Sequence, residues 1–260
     1  MSSNPIELRL IALPDLPHIS PGDDLPGLVV RSLARANLEL RDDDVLVFAQ
    51  KIVSKAEGRR IDLDTVTPGA RALEVAQTVK KDPRLVELVL RESRRIVRMA
   101  KDVLIVEHRL GLVMANAGID QSNVAEPGGG EFALLLPEAP DASATGLRNR
   151  LKELTGTAPS VIISDSFGRP WRLGTVGVAI GCAGIAAVVD LRGQADLFGR
   201  RLQVTVVAHA DEVASAASIV MGQANEARPV VLVRGLPSPA QAPQQPAAAL
   251  IRPAEQDLFR

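Results

Sequence analysis

Val161-Ile-Ile-Ser-Asp-Ser-Phe-Gly-Arg-Pro-Trp-Arg-Leu-Gly-Thr-Val-Gly-Val-Ala-Ile-Gly-Cys-Ala-Gly184 is the stretch from which the rest of the chain can be read. The run Val161 to Ile163 predicts a buried strand, because stiff branched side chains favour extended backbone. Asp165 and Ser166, two hard oxygen ligands, come next, at the point where a Gly-Arg-Pro turn signal begins. The chain's only tryptophan, Trp171, follows between Arg169 and Arg172. A carboxylate and a hydroxyl at a strand end suit a magnesium–phosphate site, since that ion takes few protein ligands and leaves room for phosphate oxygens. The same residues also read as an ordinary turn with a capping aspartate. Gly177, Gly181 and Gly184 sit in an apolar run, where close backbone packing explains them best.

Composition excludes several classes. At 260 residues and 46% hydrophobic content, the chain can bury a large core, as one domain or two intimate ones. Lys plus Arg (30) nearly balance Asp plus Glu (31), so the basic excess of a nucleic-acid binder is missing. A single cysteine, Cys182, cannot form an internal disulfide, and its apolar setting makes it a small buried hydrophobe. No signal-peptide pattern and no apolar run of spanning length are present, which predicts a cytoplasmic protein. Tyrosine is absent, so the core must rest on Ala, Val, Leu and Ile.

Strands and helices alternate along the chain. Strands are predicted over 6–13, 44–50, 103–107, 111–115, 202–208 and 229–233, and helices over 24–35, 68–79, 83–91, 143–154 and 210–221. Asp82 and Pro83 form a start signal for the 83–91 helix, and Gly156 a stop for the 143–154 helix. The cationic run Arg91-Glu-Ser-Arg-Arg-Ile-Val-Arg98 reads as the solvated end of the preceding helix. Adjacent strands at 103–107 and 111–115 imply antiparallel pairing, so the expected class is α+β with mixed, partly antiparallel sheets and packed helices. Pro127-Gly-Gly-Gly130 is a breaker, and the Pro/Ala/Gln-rich residues 236–249 predict a linker or extended tail.

No phosphate-loop or dinucleotide fingerprint occurs, and His18, His108 and His209 lack metal-ligand spacing. What remains is a set of polar clusters at element ends. Ser54-Lys-Ala-Glu-Gly-Arg59 carries Lys55, Asn116-Ala-Gly-Ile-Asp-Gln-Ser-Asn123 carries Asp120 and Asn123, and Met221-Gly-Gln-Ala-Asn-Glu226 carries Gln223, Asn225 and Glu226. With Asp165-Ser166 they supply the oxygen ligands and the lysine that a divalent-metal triphosphate site needs.

These clusters, together with Asp211-Glu212 and Pro229-Val-Val-Leu-Val-Arg-Gly235, resemble the coenzyme F420-0:L-glutamate ligase family, in matching order from Leu13 to Gly235. The resemblance implies a ligase domain over 1–235 with a tail over 236–260, a family-specific mixed fold, and an intertwined homodimer. It implies GTP as co-substrate and two divalent cations, magnesium or manganese, with potassium as a further candidate ion. Asp120 and Asp165 would hold one cation; Ser166 and Gln223 would serve the second. Pro14, Asp15, Leu16, Pro17, Gln50, Lys51, Lys55, Asn123 and the segment Met221, Gly222, Gln223, Ala224, Asn225, Glu226, Ala227 and Arg228 would contact GTP. Ser166 stands where relatives often carry Thr. Gln223 stands where some carry a carboxylate, which weakens the case for the second ion.

The implied chemistry is activation of the F420-0 carboxylate by the γ-phosphate, then attack by the glutamate amine, with further γ-linked glutamates added in later rounds. Lys55 and Asp165 would carry the phosphoryl step, and no general base stands out: Glu57 and Glu226 are candidates better read as surface residues. Arg169 and Arg172 are placed either on the acidic substrate or in surface ion pairs. A non-catalytic nucleotide-binding subunit is the reading from another class, and retention of Lys55, Asp120 and Asp165 argues against it. A ligase acting on a different carboxylate is a third.

Overall fold

The computed structural model describes residues 5–122, 129–237 and 242–258. In chain order the elements begin with β1 (Arg9–Ala12), α1 (Leu25–Arg35), β2 (Val45–Ala49), α2 (Gln50–Ala56) and β3 (Arg60–Asp62). Then come α3 (Ala70–Val79), α4 (Pro83–Arg91), β4 (Ser93–Ala100), β5 (Val103–His108), β6 (Val113–Ala115) and β7 (Phe132–Leu134). The last third holds α5 (Pro140–Thr155), β8 (Ser160–Arg169), β9 (Arg172–Ala183), β10 (Val189–Asp190), β11 (Val206–Val207), α6 (His209–Met221) and β12 (Val230–Arg234). The α+β expectation holds.

A five-stranded sheet of order β1-β12-β2-β8-β9 organises the body. Only β2 and β8 run parallel; the other neighbours are antiparallel. Both faces are covered, which is why its central strands are apolar without interruption. Leu46, Phe48, Val161 and Ile163 pack towards α1 and α5, whereas Val45, Val47 and Ile162 pack towards α6. A second core, from Leu63 to Leu135, joins α3 and α4 to the three-stranded antiparallel sheet β4-β5-β6.

The glycine-spaced run packs as expected. A Cβ at Gly177 would strike the backbone of Ala214 on α6, and one at Gly181 the backbone of Pro140 on α5. The outer edge of β9 is capped by carboxylates: Asp211 accepts from Ala179 N (2.9 Å) and Asp141 from Cys182 N (2.8 Å). Asp141 also accepts from Ala247 N (2.7 Å) and Ala248 N (3.2 Å), which fastens part of the predicted tail to the body, with Ala247 buried. That stretch is therefore not simply an extended tail.

Three more expectations need correction. Residues 93–100 are strand β4, not the frayed end of a helix, because Ile96 pairs with buried Val106 and anchors the run to β5. Of 202–208 only Val206–Val207 is strand; Val204 lies exposed on an arm. Asp165 and Ser166 lie within β8, which continues to Arg169 before the hairpin turns at Pro170-Trp171. A one-residue bulge, the extra residue being Ile180 on β9, separates them from the buried half of the strand. α2 is a helix that follows β2 with no intervening loop. Asp82 does cap α4, accepting from Arg84 N (2.8 Å), and Gly156 ends α5 at φ +76°. Among the described residues no helix is long and apolar enough to cross a membrane.

Candidate functional site

Sheet register decides where the polar clusters meet. Ala49 pairs with Ser164, Phe48 with Val230 and Ala12 with Val231, so the ends of β1 and β2, the middle of β8 and the start of β12 meet at one end of the sheet. Loops leaving such an end are where mixed sheets place ligands. From it emerge the 14–17 loop, the first turn of α2, Asp165-Ser166 and the 222–229 loop.

Two hollows adjoin there, and both are lined by Asp165 and Ser166. The smaller, about 140 Å³, is walled by Lys51, Gly222, Gln223 and Arg228 and is the more polar of the two. The larger, about 590 Å³, is mostly apolar, with Ile105, Val113, Met114 and Phe167 on its walls and Asp120 and Arg169 at its margins. One hollow suits a charged chain, the other a flat apolar ring system.

The carboxylates are arranged around Lys51. Its Nζ lies 2.7 Å from Asp120 Oδ2 and donates to Ser122 Oγ at 2.8 Å. Burial opposes ionisation of Asp120, but the hydrogen bonds from Lys51 and Ser122 outweigh it and hold the carboxyl below its ordinary range. Asp165 goes the other way. Burial, aided by the charge of Asp120, pushes it up to about 7, although Ser166 N donates to it at 2.8 Å and Lys51 lies nearby. Two carboxylates competing for one small volume, one of them unable to ionise freely, form a donor set that a divalent cation would satisfy.

Ser166 Oγ donates to Gln223 Oε1 at 2.6 Å, so the two residues assigned to the second ion are in direct contact. Among the described residues there is no cluster of three or more His, Cys, Asp or Glu that could hold a metal. A hard ion that completes its shell with phosphate and water is what such oxygen donors could hold. Asp120, Asp165, Ser166 and Gln223 are the residues that would hold it.

The remaining expected contacts divide. Gln50, Lys51, Met221, Gly222, Gln223, Ala224, Glu226, Ala227 and Arg228 all border the small cleft. Asn225 does not, and Gln50 is buried with its Oε1 accepting from Ser54 Oγ (2.9 Å). Pro14 to Pro17 leave the same end of the sheet but stand off the cleft walls. Lys55 lies one turn beyond Lys51, its pKa lowered first by burial, then by Lys51 and Arg60, with Asp120 opposing. Asn123 falls outside the described residues. Glu226 is spent on its own loop, accepting from Ala224 N at 2.8 Å, and Glu57 accepts from Ser143 Oγ at the start of α5. Arg169 borders the large cavity while Arg172 is exposed in the hairpin. The apolar walls Ile105, Val113 and Met114 carried no signal in the sequence beyond their strand pattern.

The profile of the family described as F420-0:Gamma-glutamyl ligase matches residues 15–235. The coenzyme F420:L-glutamate ligase of Methanopyrus kandleri is 48% identical over 255 residues, 97% of this chain and 98% of that protein. Its counterpart in Methanothermobacter thermautotrophicus is 45% identical over 97% of this chain and 99% of its own length. That of Methanococcus maripaludis strain C7 is 38% identical along the whole of both chains. The match spans every element that supplies the two hollows, from the loop after β1 to the end of β12, and the chain belongs to the F420-0:Gamma-glutamyl ligase family.

Proposed function

We propose that this protein is a GTP-dependent ligase that joins L-glutamate to the carboxylate of coenzyme F420-0, and adds further glutamates through γ-linkages. The observation that carries this reading is the shared wall: Asp165 and Ser166 stand between a small polar cleft and a large apolar cavity. A triphosphate in the first and a deazaflavin in the second would bring phosphate and carboxylate together at these two residues.

The γ-phosphoryl group passes to the acceptor carboxylate, giving an acyl phosphate and GDP. The glutamate amine attacks the carbonyl carbon, phosphate leaves, and the ammonium proton is lost as the amide forms. Divalent cations held by Asp120, Asp165, Ser166 and Gln223, with potassium as a further ion, would neutralise the phosphate oxygens. Lys51, Lys55 and Arg228 add fixed positive charge, and the protein's work is chiefly to align reactants. Among the described residues, Glu226 beside the cleft is engaged by Ala224 N and Asp120 by Lys51, so loss of the amine proton to solvent or to the phosphate is the route proposed.

Incubation with F420-0, glutamate and either nucleotide, with products read by mass, tests this. GTP should support glutamate addition at least tenfold faster than ATP. Equal turnover with the two would remove the nucleotide assignment, and no product with either would remove the reaction.

The working unit is proposed to be a homodimer. Trp171 and Leu173 on the β8–β9 hairpin, and Leu197 and Phe198 on the 191–205 arm, are 88–99% exposed. Apolar tips of that size on projecting segments mark an association surface. Light scattering should give the mass of two chains, and Phe198→Asp with Leu173→Asp should shift it towards one. An active monomer would refute the assembly.

A further inference from the structure

The cationic run at 94–98 lies on β4, one strand out from β5, whose Ile105 lines the large cavity, and the register shows which of its side chains project to the same side. In an antiparallel pair, directly opposed residues project to the same face. Ile105 on β5 opposes Ala115 on β6, Glu107 opposes Val113, and Ile105, Ala115 and Val113 all line the cavity. This face therefore supplies most of what the three-stranded sheet contributes to the wall, and Met114, opposite Val106, borders the cavity from the other side of β6.

β4, the next strand out, continues the same face. Arg98 opposes Ile105, and Arg95 opposes Glu107. A bulge at Val97 makes this possible: it keeps Ile96 opposite buried Val106 while bringing Arg95 back to the side that Arg98 occupies. Without the extra residue, Arg95 would fall opposite His108, which is wholly buried. Glu107 takes up the charge of Arg95 (2.8 Å) and lies 3.7 Å from Arg94. Arg98 is exposed, and among the described residues it has no ion-pair partner.

The electrostatics of the cavity call for such a group. Asp120, Asp165 and Arg169 all border the cavity, and the chain as a whole has a formal charge of −1, so no general field draws an anion in. An acidic acceptor needs local positive charge away from the carboxylates. A directly opposed residue lies about 5 Å away at Cβ, within reach of an extended arginine.

We propose that Arg98, braced by the Arg95–Glu107 pair, is an anion-binding residue on the β4 side of this cavity, and that it takes an anionic group of the acceptor remote from the carboxylate that reaches Asp165 and Ser166. The assignment rests on the reading of the large cavity as the acceptor site.

Steady-state kinetics of Arg98→Gln, Arg98→Lys and Ala115→Leu, varying F420-0 and GTP separately, tests it. Arg98→Gln should raise KM for F420-0 about tenfold, with kcat and KM for GTP within about twofold of wild type. Arg98→Lys should recover part of the loss. In wild type KM for F420-0 should climb with added salt, and in Arg98→Gln that dependence should flatten, which a purely structural role would not produce. Ala115→Leu, which intrudes on the cavity itself, should also raise KM for F420-0. If it does and Arg98→Gln does not, the anion site is wrong and the cavity assignment survives. If neither changes KM, the acceptor binds elsewhere and both fall.

Discussion

Asp165→Asn should reduce ligation by on the order of a thousandfold or more while leaving the fold intact. Asparagine keeps the size of the side chain, and the strand before it is held by Val161, Ile162 and Ile163, which are wholly buried. What is lost is one negative charge at the point where both hollows meet, and removal of a phosphate-positioning charge costs several kcal/mol of barrier. The stability effect has the opposite sign. With its carboxyl pushed up to about 7, Asp165 favours the folded state only when protonated. That contribution is complete below about pH 4, the ordinary carboxylate range, and is lost as pH rises through 7. Asparagine carries no such penalty. Without metal the variant should match wild type near pH 4 and exceed it at pH 8. The gain should grow as pH rises through 7, where the wild-type carboxyl has to ionise in the folded state. Wild-type metal affinity should likewise strengthen as pH passes 7, since binding displaces that proton. Retention of more than a tenth of wild-type ligation at equal metal would show that Asp165 is not a metal ligand. Failure to fold would make it the capping residue of the alternative reading.

Arg234→Leu should be the most destabilising single change outside the site. Arg234 Nε and Nη2 each lie 2.7 Å from the Asp44 carboxylate, and Nη2 also donates to the carbonyl of Glu39 at 2.6 Å. Asp44 is wholly buried and Arg234 nearly so. Removing one member of such a pair leaves an uncompensated charge, at a cost of about 3–5 kcal/mol. For a chain of this length that corresponds to a loss of roughly 10 °C in Tm. The double variant Asp44→Leu with Arg234→Leu should regain much of the loss, because the cost lies in the stranded carboxylate. A change below about 1 kcal/mol for Arg234→Leu, by denaturant titration, would contradict this. The same pair explains an arginine in the Pro229–Gly235 motif that has no place in either hollow.

How far the sequence carries depends on how local the cause is. The buried strands were legible because both sheet faces are covered, and their residues are apolar without a break. The caps at Asp82 and Gly156 were legible because each acts within one turn. β4 was misread because a twice-bulged edge strand with exposed arginines loses the alternation that identifies strands, and its sequence looks like a solvated helix end. α2 was missed because it starts at the residue after β2, with no turn residue between them. The way residues 242–251 dock was not legible, since it depends on two backbone N–H groups, of Ala247 and Ala248, reaching an Asp141 that also holds Cys182 N of β9, and not on the composition of the segment.

By itself the sequence determined the family, the mixed class of fold and the short polar clusters, because motif identity and apolar periodicity are properties of neighbouring residues. The tertiary structure alone decided that Lys51 pairs with Asp120, that Ser166 meets Gln223 across 57 positions, and that Arg234 neutralises Asp44 across 190. It also decided that strands 103–108 and 113–115 form the wall of a cavity ending at Asp165. Such pairings follow from sheet order and register, which are set by the summed burial of the whole core and leave no mark in any single stretch of chain.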